Sequence, residues 1–160
     1  MERASLIASI VALAGLAAVA FGGVAASTAP WGTFEADARE QRYEKLLPQH
    51  LAAIDAAIAR KDLGKAVFEW RDAYGLALGS RRWETMADVG DAAVRIDALA
   101  RRPVGQPTGF RAEARQAYLL ALFQARRTKS QTGINRIADA FAALGDTEMA
   151  ERSRAIAVTR

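Results

Sequence analysis

The sequence predicts an all-α protein: a long apolar N-terminal segment followed by a body of short helices. Two observations predict the fold class. Beyond residue 48, apolar residues recur at helical spacing with almost no β-branched alternation. Cap and turn residues then divide that pattern into six body helices joined mostly by short turns. A third observation predicts their arrangement, because a small–bulky–small signature returns along the chain.

No charged residue stands between Ala4 and Phe34, and Leu6 to Val24 is almost wholly Ala, Leu, Ile, Val, Gly and Phe. Such a run can cross a bilayer as a retained anchor or serve as a cleavable signal peptide. Cleavage is favoured by the weakly hydrophobic, Ala-rich core, by Gly22-Gly23, and by the small residues Val24-Ala25-Ala26 ahead of Ser27. The anchor reading is favoured by the thin positive charge before the run, Arg3 alone. Arg3 precedes the span, whereas Glu35 and Asp37 follow it before the next Arg. Either way the bias places the body outside the cytoplasm, periplasmic or held at the inner membrane. Residues 1–26 are therefore expected to be signal or anchor, 27–47 a linker and charged spacer, and 48–160 the helical domain. Trp31 is a candidate interfacial anchor.

The spacer EADAREQRYEKLL, residues 35–47, is helix-prone and is expected to end at Pro48. The first body helix then spans 49–60, and the second spans 62–79 with Asp62 as its N-cap. Ser80 is expected to cap a third from about residue 81 to 100. The segment RRPVGQPTGF, residues 101–110, holds two Pro and two Gly and reads as a loop. Helices follow over 111–127 and 131–144, the latter closed by Gly145. Asp146 then caps a last helix running to about residue 158.

The second helix of each pair carries the recurrent signature: Ala66, Trp70, Ala73; Ala114, Tyr118, Ala121; Ala150, Arg154, Ala157. The first helices carry apolar stripes, Trp83, Met86, Ala87, Gly90 and Ile134, Ile137, Ala138, Phe141. Small residues allow close approach, and the aromatic fills the gap between neighbouring pairs. In these residues the chain resembles the tetratricopeptide repeat, a helix–turn–helix unit of about 34 residues. The resemblance covers roughly 48–158 and is degenerate. The first unit offers only His50, Ala53, Ile54 and Ala57 as its stripe, and the middle unit is interrupted by the 101–110 loop. Arg154 stands in an aromatic slot, as suits a terminal repeat with a polar outer face. With about three units, near the minimum for a solenoid, a homodimer through an uncapped end is a further expectation.

Composition excludes several classes of function. The chain has no Cys, so disulfides, thiolate metal sites and cysteine nucleophiles are out. Its single His, His50, excludes multi-histidine metal sites and is expected to be partly exposed or a helix cap. No phosphate loop or catalytic constellation appears, so no enzyme activity, cofactor or metal is expected. The resemblance implies that Asp55, Asp88 and Asp139 share one register position facing a concave groove. Glu84 and Asp91 extend that acidic face, and Asn135 stands beside it. Such a groove would take a basic or amide-rich segment of a partner protein. Between residues 101 and 136 the charge reverses: Arg101, Arg102, Arg111, Arg115, Arg126, Arg127, Lys129 and Arg136 stand against Glu113 alone. A basic face of this kind suits an anionic membrane surface. Nucleic acid is not expected, since the N-terminal segment predicts export and no recognition motif is present.

Overall fold

The computed structural model describes residues 31–100 and 109–158, with side chains from residue 41 onward and none for Val158. The expected signal or anchor segment lies outside the described residues, as do Arg101 and Arg102. Six helices and no strand make up the described chain: α1 Trp31–Ala59, α2 Leu63–Ser80, α3 Trp83–Ala100, α4 Gly109–Arg127, α5 Gln131–Ala143 and α6 Thr147–Val158. Among the described residues no helix is long and apolar enough to cross a membrane.

Helix ends follow local chemistry. The Asp62 carboxylate accepts from the Lys65 N–H at 2.9 Å and opens α2. Asp146 does the same for Met149 at 3.2 Å at the start of α6. Ser130 accepts from Gly133 at 3.1 Å and caps α5. Gly145, at φ 78°, takes the left-handed conformation that ends α5 where a side chain would be strained. The expected cap of α3 is different. Ser80 closes α2 instead, its hydroxyl donating to the Ala77 carbonyl at 2.9 Å. The chain then turns through Arg81 at φ 55° before α3 begins at Trp83.

The break expected at Pro48 is also absent. Helix α1 runs through Pro48, although proline donates no N–H and disfavours a helix interior. Tertiary packing holds the helix on both sides of it. Leu47 is 4% exposed and Ile54 fully buried, and Glu44 reaches Arg82 at 3.4 Å. The packed helical body therefore begins before residue 48.

Consecutive helices pack as hairpins, α1 with α2, α3 with α4 and α5 with α6. The hairpins stack so that α1 touches α3 and α3 touches α5, while α2 meets α3 and α4 meets α5. The core between them is built on the recurrent signature. Ala66, Ala73, Ala114 and Ala121 are fully buried, and Trp70 and Tyr118 are 5% and 3% exposed. Each aromatic reaches the next hairpin. Trp70 Nε1 donates to the Val89 carbonyl at 3.0 Å and its ring meets Phe110 edge-on at 5.4 Å. Tyr118 meets Phe141 edge-on at 5.9 Å. Within the second hairpin the approach is closer still: a Cβ at Gly90 would lie 2.5 Å from Tyr118 Cε1. A helical glycine costs roughly 1 kcal/mol against Ala, and here it makes room for the ring.

Candidate functional site

The first helices α1, α3 and α5 lie side by side, and the three candidate aspartates fall on their exposed faces. All three are ion-paired. Arg95 Nε donates to Asp55 at 2.9 Å, joining α3 to α1. Arg136 Nη2 donates to Asp88 at 2.6 Å and to Asp91 at 2.9 Å, joining α5 to α3. Asp139 accepts from Arg154 of α6 at 3.0 Å, joining α6 to α5. Asp88, Asp91 and Arg95 stand at i, i+3 and i+7 on one face of α3, and Arg136 and Asp139 at i and i+3 on α5. The shared position predicted for the aspartates thus becomes a ladder of alternating charge, not an open acidic channel. Glu84 stands at the start of the same helix, 3.9 Å from Arg82. Asn135 accepts from Gln131 at 3.4 Å on exposed α5 surface.

Inside the ladder, Tyr118 donates its hydroxyl to Asp91 at 2.6 Å. Burial, reinforced by that carboxylate, pushes the phenol well above its ordinary range, so it remains a donor. The Arg136 guanidinium also lies 6.0 Å from the centre of the Trp83 ring. Beside this network is a groove of about 300 Å³ lined by Asp91, Val94, Arg95, Tyr118, Ala140, Ala143 and Leu144. Its lining is mainly apolar and includes one carboxylate and one guanidinium.

The described residues expected to form one basic face lie on α4, just beyond its end and on α5. Arg111 donates to the Leu144 carbonyl, and Arg115 to Asp146 at 2.6 Å, both beside the start of α6. Arg126 and Arg127 occupy the last turn of α4, with Lys129 just beyond it. Arg126 stands fifteen positions along α4 from Arg111, about 22 Å of helical rise. Arg136 belongs to the ladder.

His50 lies inside α1, two residues past Pro48, partly exposed as expected and not a cap. Its Nδ1 is 2.6 Å from Glu69 Oε2, and Lys65 Nζ is 2.6 Å from Glu69 Oε1. Lys65 and then His50 hold the Glu69 carboxyl below its ordinary range against the opposing effect of burial. Asp72, one turn further along α2, completes a group whose donor atoms all lie within 4.8 Å of one another. Sequence reading does not find this group, because Glu69 and Asp72 lie 19 and 22 residues beyond His50, on another helix.

Comparison with protein-family models, with curated proteins and with solved structures gives no match to this chain.

Proposed function

We propose that the chain is a protein-binding module: a short tetratricopeptide-like stack that presents its first-helix face to a partner outside the cytoplasm. The uncharged N-terminal run supports the location, as a signal removed on export or as an inner-membrane anchor. The observation that carries the binding role is the groove between the second and third hairpins. Its floor of Val94, Ala140 and Leu144 offers apolar contact, and Asp91 and Arg95 also line it. Hydrophobic contact surrounded by charge of both signs is the chemistry of a protein interface.

The occupant we infer is a partner segment that inserts a small apolar side chain and presents charges on both sides of it. Because Asp55, Asp88 and Asp139 already carry Arg partners, a purely basic peptide would have to displace those pairs. Membrane-surface binding is the weaker reading, since Arg115 and Arg136 are engaged within the chain.

The test compares the full chain with Ala143→Trp, in which an exposed position fills the groove at little expected cost to the fold. Cross-linking in envelope preparations should give an adduct with the wild type that the variant loses. An adduct retained at full strength would remove the groove from the binding surface.

A further inference from the structure

Every other described ion pair that links one hairpin element to another uses arginine: Arg82–Glu44, Arg95–Asp55, Arg115–Asp146, Arg136–Asp88, Arg136–Asp91 and Arg154–Asp139. The α1–α2 contact differs. There the only imidazole of the chain meets Glu69, a carboxylate whose side chain is just 11% exposed. An arginine at position 50 would supply the charge and five donors but no lone pair. Histidine supplies an electron pair, and Asp72 adds a second carboxylate from the same face of α2.

We propose that His50, Glu69 and Asp72 form a binding site for a divalent transition-metal ion of the zinc type, with one imidazole and two carboxylates as ligands. Donor atoms about 2.0–2.2 Å from a tetrahedral ion stand roughly 3.4 Å apart. His50 and Glu69, now 2.6 Å apart, need to open by less than an ångström. Asp72 is exposed, so its carboxylate is free to swing inward along a path open to solvent. Lys65 keeps Glu69 Oε1 in a hydrogen bond, the kind of outer contact that fixes a ligating carboxylate's orientation. Three protein ligands leave one tetrahedral position for water or for an acidic group of a partner. The imidazole and mixed carboxylate set favours zinc or its first-row neighbours over calcium and magnesium, which prefer all-oxygen surroundings.

Calorimetric titration of Zn2+ into the full chain, kept in mild detergent at pH 7.5, tests the site. One ion per chain with a micromolar or tighter dissociation constant is expected. Affinity should fall at least tenfold in His50→Gln and in Asp72→Asn. Asp72→Asn changes an exposed residue, so it remains informative even if His50→Gln disturbs the helix contact. Far-UV circular dichroism verifies the fold of each variant. Binding weaker than millimolar overturns the proposal, as does an affinity that either substitution leaves unchanged.

Discussion

Tyr118 of α4 reaches across its hairpin to Asp91 of α3, hydroxyl to carboxylate at 2.6 Å, while its ring lies over Gly90 one residue earlier. One side chain therefore packs the hairpin and holds the ladder from beneath. These two roles separate on substitution. Tyr118→Phe keeps the ring and loses the bond to a charged group, which should cost about 1.5–3 kcal/mol. Gly90→Ala keeps the bond's partners but places a methyl group against the ring. Overpacking of that kind costs about 1–3 kcal/mol beyond the small gain in helix propensity. Urea denaturation of the two single variants and the double variant should show non-additive losses, because both act on one ring position. A stabilised Gly90→Ala protein would contradict the packing described here.

Trp70 has the corresponding place one hairpin earlier, with a donor to add to its area. It is 5% exposed, stacks on Tyr74 at 5.1 Å and gives its indole N–H to Val89. Truncation to Ala should destabilise by about 3–5 kcal/mol. Trp70→Phe, which retains part of the ring volume, should be milder but still lose the hydrogen bond to the Val89 carbonyl. A loss below about 1 kcal/mol for Trp70→Ala would mean that the ring does not hold the first hairpin to the second.

These two aromatics also mark what is legible in the sequence alone. The Ala–aromatic–Ala spacing gave the helix pairing and the bridging role of Trp70 and Tyr118, because both follow from side-chain size at a fixed helical period. Asp62 and Asp146 were readable as caps because capping is local. Pro48 misled for the opposite reason: its local preference is overridden by the burial of Leu47 and Ile54 on either side. The charge pairs were illegible because their partners are far apart in sequence, 40 residues for Asp55 and Arg95 and 48 for Asp88 and Arg136. A carboxylate's helical face can be read from periodicity. Whether an arginine on another helix reaches it depends on stacking that no window of sequence contains.

At the other end of the stack, Asp146 offers a pH dependence with a definite sign. The Arg115 hydrogen bond, helped by the Met149 N–H, holds its carboxyl below the ordinary aspartate range against a smaller opposing effect of burial. A depressed folded-state value means that the stabilisation is complete above the unfolded-state pKa and is lost as pH falls through the folded one. Asp146→Ala should thus cost about 1 kcal/mol at neutral pH, the usual worth of an N-cap. The gap from the wild type should narrow as pH drops below about 4. Chemical denaturation of both proteins between pH 7 and 2.5 measures it, and a gap that stays constant would detach Asp146 from the ion pair.

The ladder itself should matter little to stability and more to recognition. Asp55 and Asp139 are exposed and Asp88 half-buried, and surface ion pairs of this kind typically contribute about 0.2–1 kcal/mol each. Replacing all three by Asn should leave helicity unchanged and shift thermal unfolding only slightly, with salt reducing the difference further. Arg136 is different, since it serves both Asp88 and Asp91 and lies against Trp83. Arg136→Ala removes packing from the ring as well as charge and should destabilise more than the triple Asn variant. The same variants separate fold from binding. If partner capture falls in the triple Asn protein while its unfolding curve stays in place, the alternating charges are read by the partner. If capture is unchanged in that variant and lost only when the groove is filled by Ala143→Trp, the apolar floor carries the contact and the ladder serves to align the first helices.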